Sequence, residues 1–290
     1  MPADALALAL LAAVVHAGWN LLVADAEDPQ AAAPVALAVG ALVLLPFGVA
    51  TWDVDAAAWP YIAASVAFEL AYFVLLARAY AEAELAFVYP IARGSAPVLA
   101  LVASAAFFGA AVSAAAAIGI AAVVAGIVLV RGIAPRPRAE AASGGAGAAR
   151  TSGAPASGGA PFRDLLLALS VGACIAGYTV VDDRGVEHAS PIPYLACVLV
   201  PTALAWLAFA RPTIRVTPRI GGAGIGMVVA YLLTLAALDR ADAGPVAAVR
   251  ETSVLFAVGF AALVAGERVT GARAAGAALV VAGVAALALG

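Results

Sequence analysis

The chain is built from long apolar runs, each about the length that a bilayer-crossing helix requires. They fall at roughly residues 4–23, 31–50, 58–80, 84–108, 112–130, 163–182, 190–209, 219–238, 244–264 and 271–289. A spanning helix needs roughly 20 predominantly apolar residues. Ten such runs account for about 200 residues by that rule, which leaves short loops, one linker and no separate water-soluble domain. The runs do not alternate apolar and polar positions, as barrel strands do, and an open sheet in lipid would leave backbone groups unpaired. An all-α integral membrane protein with ten transmembrane helices is expected.

Composition agrees with this. Of the 290 residues, 65% are hydrophobic and only 11% are charged, against about 25% charged in an average soluble domain. So few charges cannot cover the surface of a soluble protein of this length. The first run, Ala5 to Val15, lacks a basic leader and passes at once into His16, Trp19 and Asn20. It reads as a retained first span and not as a cleaved signal. Cys174 and Cys197 lie within apolar runs and read as small core residues. There is no basic tract of the kind that binds nucleic acid, and no ligand spacing of a zinc site. A phosphate-binding Gly-x-x-x-x-Gly-Lys loop is impossible because the chain has no Lys. No cofactor is called for, and no nucleophile–base pair suggests an enzyme.

Between the fifth and sixth runs lies a segment of Gly, Ser, Ala, Pro and a few Arg, from Arg131 to about Pro161. It has the composition of a flexible linker. It divides the chain into 1–130, the linker 131–162, and 163–290. The two flanking parts resemble each other. Under a gapless shift of 157 residues, Arg93 falls on Arg250, Ser95 on Thr252, Gly109 on Gly266 and Gly119 on Gly276. Val123-Val124-Ala125-Gly126 falls on Val280-Val281-Ala282-Gly283. Five spans per repeat is an odd number, so the second repeat must enter the membrane from the opposite side. Two inverted five-helix repeats of this kind suit a carrier whose site lies near the bilayer midplane.

Orientation follows from arginine placement, since basic residues favour cytoplasmic loops. Eleven Arg fall on the side that holds the linker, and only Arg184 and Arg240 on the side of the termini. The linker is therefore expected in the cytoplasm, with both termini outside a multi-pass protein of the plasma membrane.

The stretch from Ala79 to Val98 carries Glu82, Glu84, Tyr89, Pro90, Arg93, Gly94, Ser95 and Pro97. It resembles the third-to-fourth helix signature of EamA-type members of the drug/metabolite transporter superfamily. Arg250-Glu251-Thr252-Ser253, followed by Gly266-Glu267-Arg268, Gly276 and Gly283, is similar to the same signature in the second half. His16-Ala17-Gly18-Trp19-Asn20 resembles the first-helix motif of one branch. The resemblance implies ten helices in two inverted halves and export or exchange of a small metabolite. Two features depart from it. Gly109-Ala110-Ala111 stands where members often have Gly-Glu-Arg, and the arginine count reverses the orientation in which such proteins are commonly drawn.

Charges inside the bilayer cost roughly 2.5–3.5 kcal/mol each on insertion scales, so each needs a reason. Arg93 and Arg250 lie within spans that enter from opposite faces, so both can reach a central cavity. Guanidinium groups bind carboxylate or phosphate bidentately, which makes the two Arg candidate anchors for an anionic solute. The alternative is that each ties neighbouring helices. Glu69 is the deepest acid of the first half and could carry a coupling proton, or could be locked in an ion pair with Arg93 or Arg250. His16 and Glu251 are the other candidates for proton coupling. Trp19, Asn20, Tyr72, Tyr89, Tyr178 and Tyr231 are candidate cavity-lining residues. Pro90 and Pro97 are expected to interrupt the fourth span beside Arg93. Gly119, Gly126, Gly276 and Gly283 allow close helix packing, either within the fold or against a second copy in a homodimer. A neutral or cationic solute with Glu69 as its partner, and a scaffold that transports nothing, are the competing readings.

Overall fold

The computed structural model describes residues 1–24, 26–82, 85–131, 160–212, 215–253, 255–256, 259 and 271–289. Ten described helices carry the fold: α1 (Ala3–Ala24), α2 (Pro29–Ala50), α3 (Trp59–Glu82), α4 (Leu85–Phe108), α5 (Ala114–Arg131), α6 (Ala160–Gly185), α7 (Pro191–Ala210), α8 (Pro218–Leu238), α9 (Ala243–Arg250) and α10 (Gly271–Leu289). A 3-10 turn, Ala56–Ala58, leads into α3. Seven of the helices, α1 to α4 and α6 to α8, contain stretches long and apolar enough to cross a membrane. The apolar stretches of α5 and α10 are shorter. Most of the linker lies outside the described residues, as does Gly266 to Arg268.

The packing is that of a protein dissolved in lipid. The buried set is dominated by Ala, with Gly at the closest approaches, while large apolar side chains point outward. Phe107 is 80% exposed and Leu42 70% exposed, which only a hydrocarbon solvent makes comfortable. Lipid offers no hydrophobic drive for helix association, so small residues that bring backbones together must supply the packing. An added Cβ on Gly126 of α5 would stand 2.6 Å from the Gly276 carbonyl oxygen of α10, and one on Gly283 would stand 2.7 Å from the Gly119 oxygen. The four glycines singled out by the repeat thus face one another inside the chain.

The closest helix pairs join the two halves of the sequence: α5 with α10, α1 with α8, α4 and α3 with α6, and α2 with both α7 and α8. Contacts between neighbours within a half, such as α1 with α2 or α3 with α4, are sparse. Two groups flank the middle of the bundle, α3–α4–α6 and α1–α8, each drawn from both halves, and α9 packs against both, with α4 most of all. They meet where α4 crosses α9. At one end of the bundle the α2–α3 and α6–α7 connections are tied together. Val54 bridges Ala189, Ser190 Oγ donates to Asp53 Oδ2 at 2.8 Å, and Tyr61 stacks on His188. Arg240 also reaches Asp4 there, at 3.4 Å. At the other end an exposed 3.9 Å pair, Arg215 with Glu27, links the α7–α8 and α1–α2 connections.

Two expectations about helix continuity change. The fourth span is not interrupted: α4 runs through Pro90 and Pro97 as one helix. Proline's fixed φ is compatible with a helix, and the loss of one hydrogen bond is tolerated where neighbouring helices hold the segment. The break falls in the ninth span. There α9 ends at Arg250, and Glu251 and Thr252 form a tight turn before helical geometry resumes at Ser253. The Val249 carbonyl accepts both the Thr252 amide, at 3.0 Å, and the Thr252 hydroxyl, at 2.6 Å. This local back-bonding shortens the hydrogen-bond step from four residues to three.

Candidate functional site

A cavity of about 940 Å³ lies between the two helix groups. The α3–α4–α6 side contributes Glu69, Tyr72, Phe73, Arg93 and Tyr178, the α1–α8 side contributes His16, Trp19, Asn20 and Tyr231, and α9 contributes Arg250. Phe209, Ala210, Arg211 and Asp28 line it toward the opposite end, that of the α1–α2 and α7–α8 connections. No described residue of the connections tied by Asp53 and Ser190 is part of the lining. The cavity is therefore a pocket that opens on one face of the bundle.

The charged centre stands where α4 crosses the break in α9. Arg93 Nη1 donates to both carboxylate oxygens of Glu251, at 3.1 and 3.3 Å. Arg250 Nη2 stands 3.8 Å from Glu251 Oε1, donates to the Tyr178 hydroxyl at 3.3 Å and lies over the Tyr178 ring. Glu251 is fully buried and shared between two guanidinium groups, one from each repeat. The tight turn after Arg250 directs the Glu251 side chain back toward Arg93. Both Arg93 and Arg250 line the cavity. The Arg250 Nε atom is buried without an acceptor among the described residues, as is Trp19 Nε1.

His16 Nε2 lies 3.4 Å from Arg93 Nη2. Arginine has no acceptor, so Nε2 must receive the bond and hold no proton in this arrangement. The His16 ring also meets Trp19 edge to face at 4.9 Å, and Asn20 Nδ2 donates to the His16 carbonyl at 2.8 Å. Tyr72, Tyr178 and Tyr231 form a row, with ring centroids 6.5 Å apart from Tyr72 to Tyr178 and 6.4 Å from Tyr178 to Tyr231. Phe73 stacks on Trp206 at 3.8 Å. The Tyr89 side chain lies outside what the structure describes.

Glu69 is 6% exposed, and its Oε2 has no hydrogen-bond partner among the described residues. Of the two arrangements open to Glu69 in the sequence, the ion pair with Arg93 or Arg250 is not formed among the described residues. Glu251 occupies that role.

One acidic residue was not singled out by the sequence. Asp182 is fully buried near the end of α6, where it accepts from the Tyr194 hydroxyl at 2.9 Å and the Tyr231 hydroxyl at 2.6 Å. It sits in the run Asp182-Asp183-Arg184, which reads as the start of a polar loop. The signal that could have found it is spacing, because Asp182 falls one turn beyond Tyr178 on the same helix face. The Tyr194 contact also needs Gly185, where an added Cβ would stand against the Tyr194 ring and hydroxyl. Tyr194→Phe leaves Asp182 Oδ1 unpaired and is expected to cost about 1–2 kcal/mol, read as earlier thermal unfolding of the detergent-solubilised protein.

The model of the EamA-like transporter family matches residues 4–132 and 163–289, which together cover nearly all of the chain outside the linker. No curated protein matches the chain. Among solved structures, a crystal structure described only as that of a protein superposes with a TM-score of 0.72. The match covers 98% of this chain and 95% of that one, at 19% identity, which shows a shared fold.

Proposed function

Because the chain belongs to the EamA-like transporter family, and is thereby a multi-pass membrane protein of transporter type, we propose that it is a secondary carrier for a small organic anion. Ten spanning helices in two inverted repeats would frame the cavity. Access would alternate as α3–α4–α6 and α1–α8 rock about the crossing of α4 and α9. The cavity in this conformation faces the end that the arginine count assigns to the cytoplasm, in a protein of the plasma membrane with both termini outside.

The observation that carries this reading is that two guanidinium groups, Arg93 and Arg250, one from each half of the chain, both line the cavity. A solute carrying negative charge would meet both. Arg250 is its anchor, and Arg93 is also the strut that holds Glu251 and His16. Asn20, Tyr72, Tyr89, Tyr178 and Tyr231 would shape the pocket around the solute. Glu69, with an unpartnered carboxylate oxygen on the opposite wall, would take the coupling proton, whereas His16 and Glu251 are already committed to Arg93.

Thermal-shift screening of the purified protein against a metabolite panel tests this. Anions that stabilise the wild type are expected to lose roughly ten- to a hundredfold in affinity in Arg250→Gln, the equivalent of one charge-assisted hydrogen bond. The unpartnered Glu69 oxygen favours a second reading, in which a neutral or cationic solute binds there. Stabilisation by cations that survives Arg250→Gln and disappears in Glu69→Gln would establish that reading instead.

A further inference from the structure

We propose that Arg211 is the entry residue of the anion path, drawing a negatively charged solute into the mouth of the cavity from which Arg250 and Arg93 then take it. This rests on the reading of the solute as an anion and assigns a third arginine to it.

Three observations carry it. First, Arg211 is in place. It directly follows α7 and lines the cavity at its open end, beside Phe209, Ala210 and Pro212 and with Asp28 of the α1–α2 connection. Arg93, about two turns into α4, and Arg250, at the end of α9, line the same cavity at its centre. A charge at the rim of a cleft with low-dielectric walls raises the local concentration of the ion it attracts. Second, the backbone of Arg211 is strained. Its φ of 45° and ψ of 49° lie in the left-handed region, and it is the one non-glycine residue with positive φ among the described residues. Its amide donates to the Leu207 carbonyl at 2.9 Å, closing α7 in a conformation for which glycine is the ordinary choice. A Cβ makes that conformation unfavourable, and strain of this kind gathers at functional positions. Third, no ion pair holds the Arg211 side chain among the described residues, in contrast to Arg215, which stands 3.9 Å from Glu27. Asp28, the carboxylate at the same mouth, accepts from the Ala31 amide at 3.1 Å in the first turn of α2, where a helix N-terminus favours negative charge.

Arg211 also belongs to the arginines that set orientation. That role needs the charge, but neither a place in the cavity wall nor a left-handed backbone.

Quenching of tryptophan fluorescence by iodide tests the assignment with no solute present. Trp19 and Trp206 line the cavity, whereas Trp52 and Trp59 lie exposed toward the tied end of the bundle, so replacing Trp52 and Trp59 by Phe leaves two cavity reporters. In this background of the purified full-length protein, Arg211→Gln is expected to lower the iodide quenching constant about twofold, the effect of one unit charge about 10 Å away in water. Quenching by neutral acrylamide is expected to stay the same. Arg211→Lys is expected to keep the iodide constant, and added salt to remove the difference between the variants. Arg211→Gly is expected to lower iodide quenching as Arg211→Gln does, while raising the midpoint of thermal unfolding by about 1–3 °C as the strain is relieved. Equal iodide constants in the wild type and Arg211→Gln would overturn the proposal and leave Arg211 as an orientation arginine. A parallel fall in acrylamide quenching would overturn it too, because the cavity and not its charge would have changed. So would a lower unfolding midpoint in Arg211→Gly, which would make Arg211 a prop of the fold. Iodide reports on the mouth whatever the solute is, so a failed anion screen and a failed entry residue are told apart.

Discussion

Glu251→Gln is expected to cost about 3–5 kcal/mol of stability, the penalty for removing one partner of a buried ion pair. The carboxylate is fully buried and takes two hydrogen bonds from Arg93, and Arg250 stands beside it at 3.8 Å. With a neutral amide in its place, two guanidinium groups from opposite repeats face each other without that carboxylate between them. Thermal unfolding of the detergent-solubilised protein measures the loss. Arg93→Gln is expected to destabilise as well, by leaving Glu251 with only the longer contact to Arg250. The double substitution is expected to cost less than the sum of the two, because the second change removes a charge that the first has stranded. Costs that add without coupling would mean that the pair is bridged independently, and would undo the account of this centre as the joint between the two halves.

The second large effect is steric. At Gly224 of α8 an added Cβ would stand against the Ala36 carbonyl oxygen of α2 and 2.9 Å from the Gly40 amide nitrogen. These are backbone atoms and have no side-chain freedom with which to yield. Gly224→Val is therefore expected to force the helices apart and to cost about 1–3 kcal/mol or more, in the range of overpacked interiors. Gly221 lies on the same helix with nothing within 4 Å of an added Cβ. Gly221→Ala is expected to be neutral or stabilising by up to about 1 kcal/mol, through helix propensity alone. The contrast between two glycines three residues apart separates packing from propensity in a single unfolding experiment.

The glycine pairs also bind the two halves of the chain to each other. Backbone-to-backbone contacts join α5 to α10 and α2 to α8 across the repeat boundary, while neighbours within each repeat touch lightly.

Much of this was legible in the sequence, because a bilayer restricts what a chain can do. With no water to satisfy the backbone, apolar runs of this length have to be helices. The register that superimposes Arg93 on Arg250 and Gly126 on Gly283 is a property of the letters alone. So is the demand that every charge within a run find a use. What the sequence could not decide is which charges meet. Arg93 and Glu251 lie 158 positions apart, and the choice between Glu251 and Glu69 as its partner depends on how α4 crosses α9. Pro90 and Pro97 looked like the break, yet the break lies at Thr252, where a hydroxyl competes with a backbone amide for one carbonyl. Asp182 read as the start of a loop because hydropathy sees a helix end and not the two tyrosines, from two other helices, that converge on it. Lipid fixes the elements one at a time, from local composition. The partners of the few polar groups are fixed only by the crossing of helices distant in sequence, which no local pattern encodes.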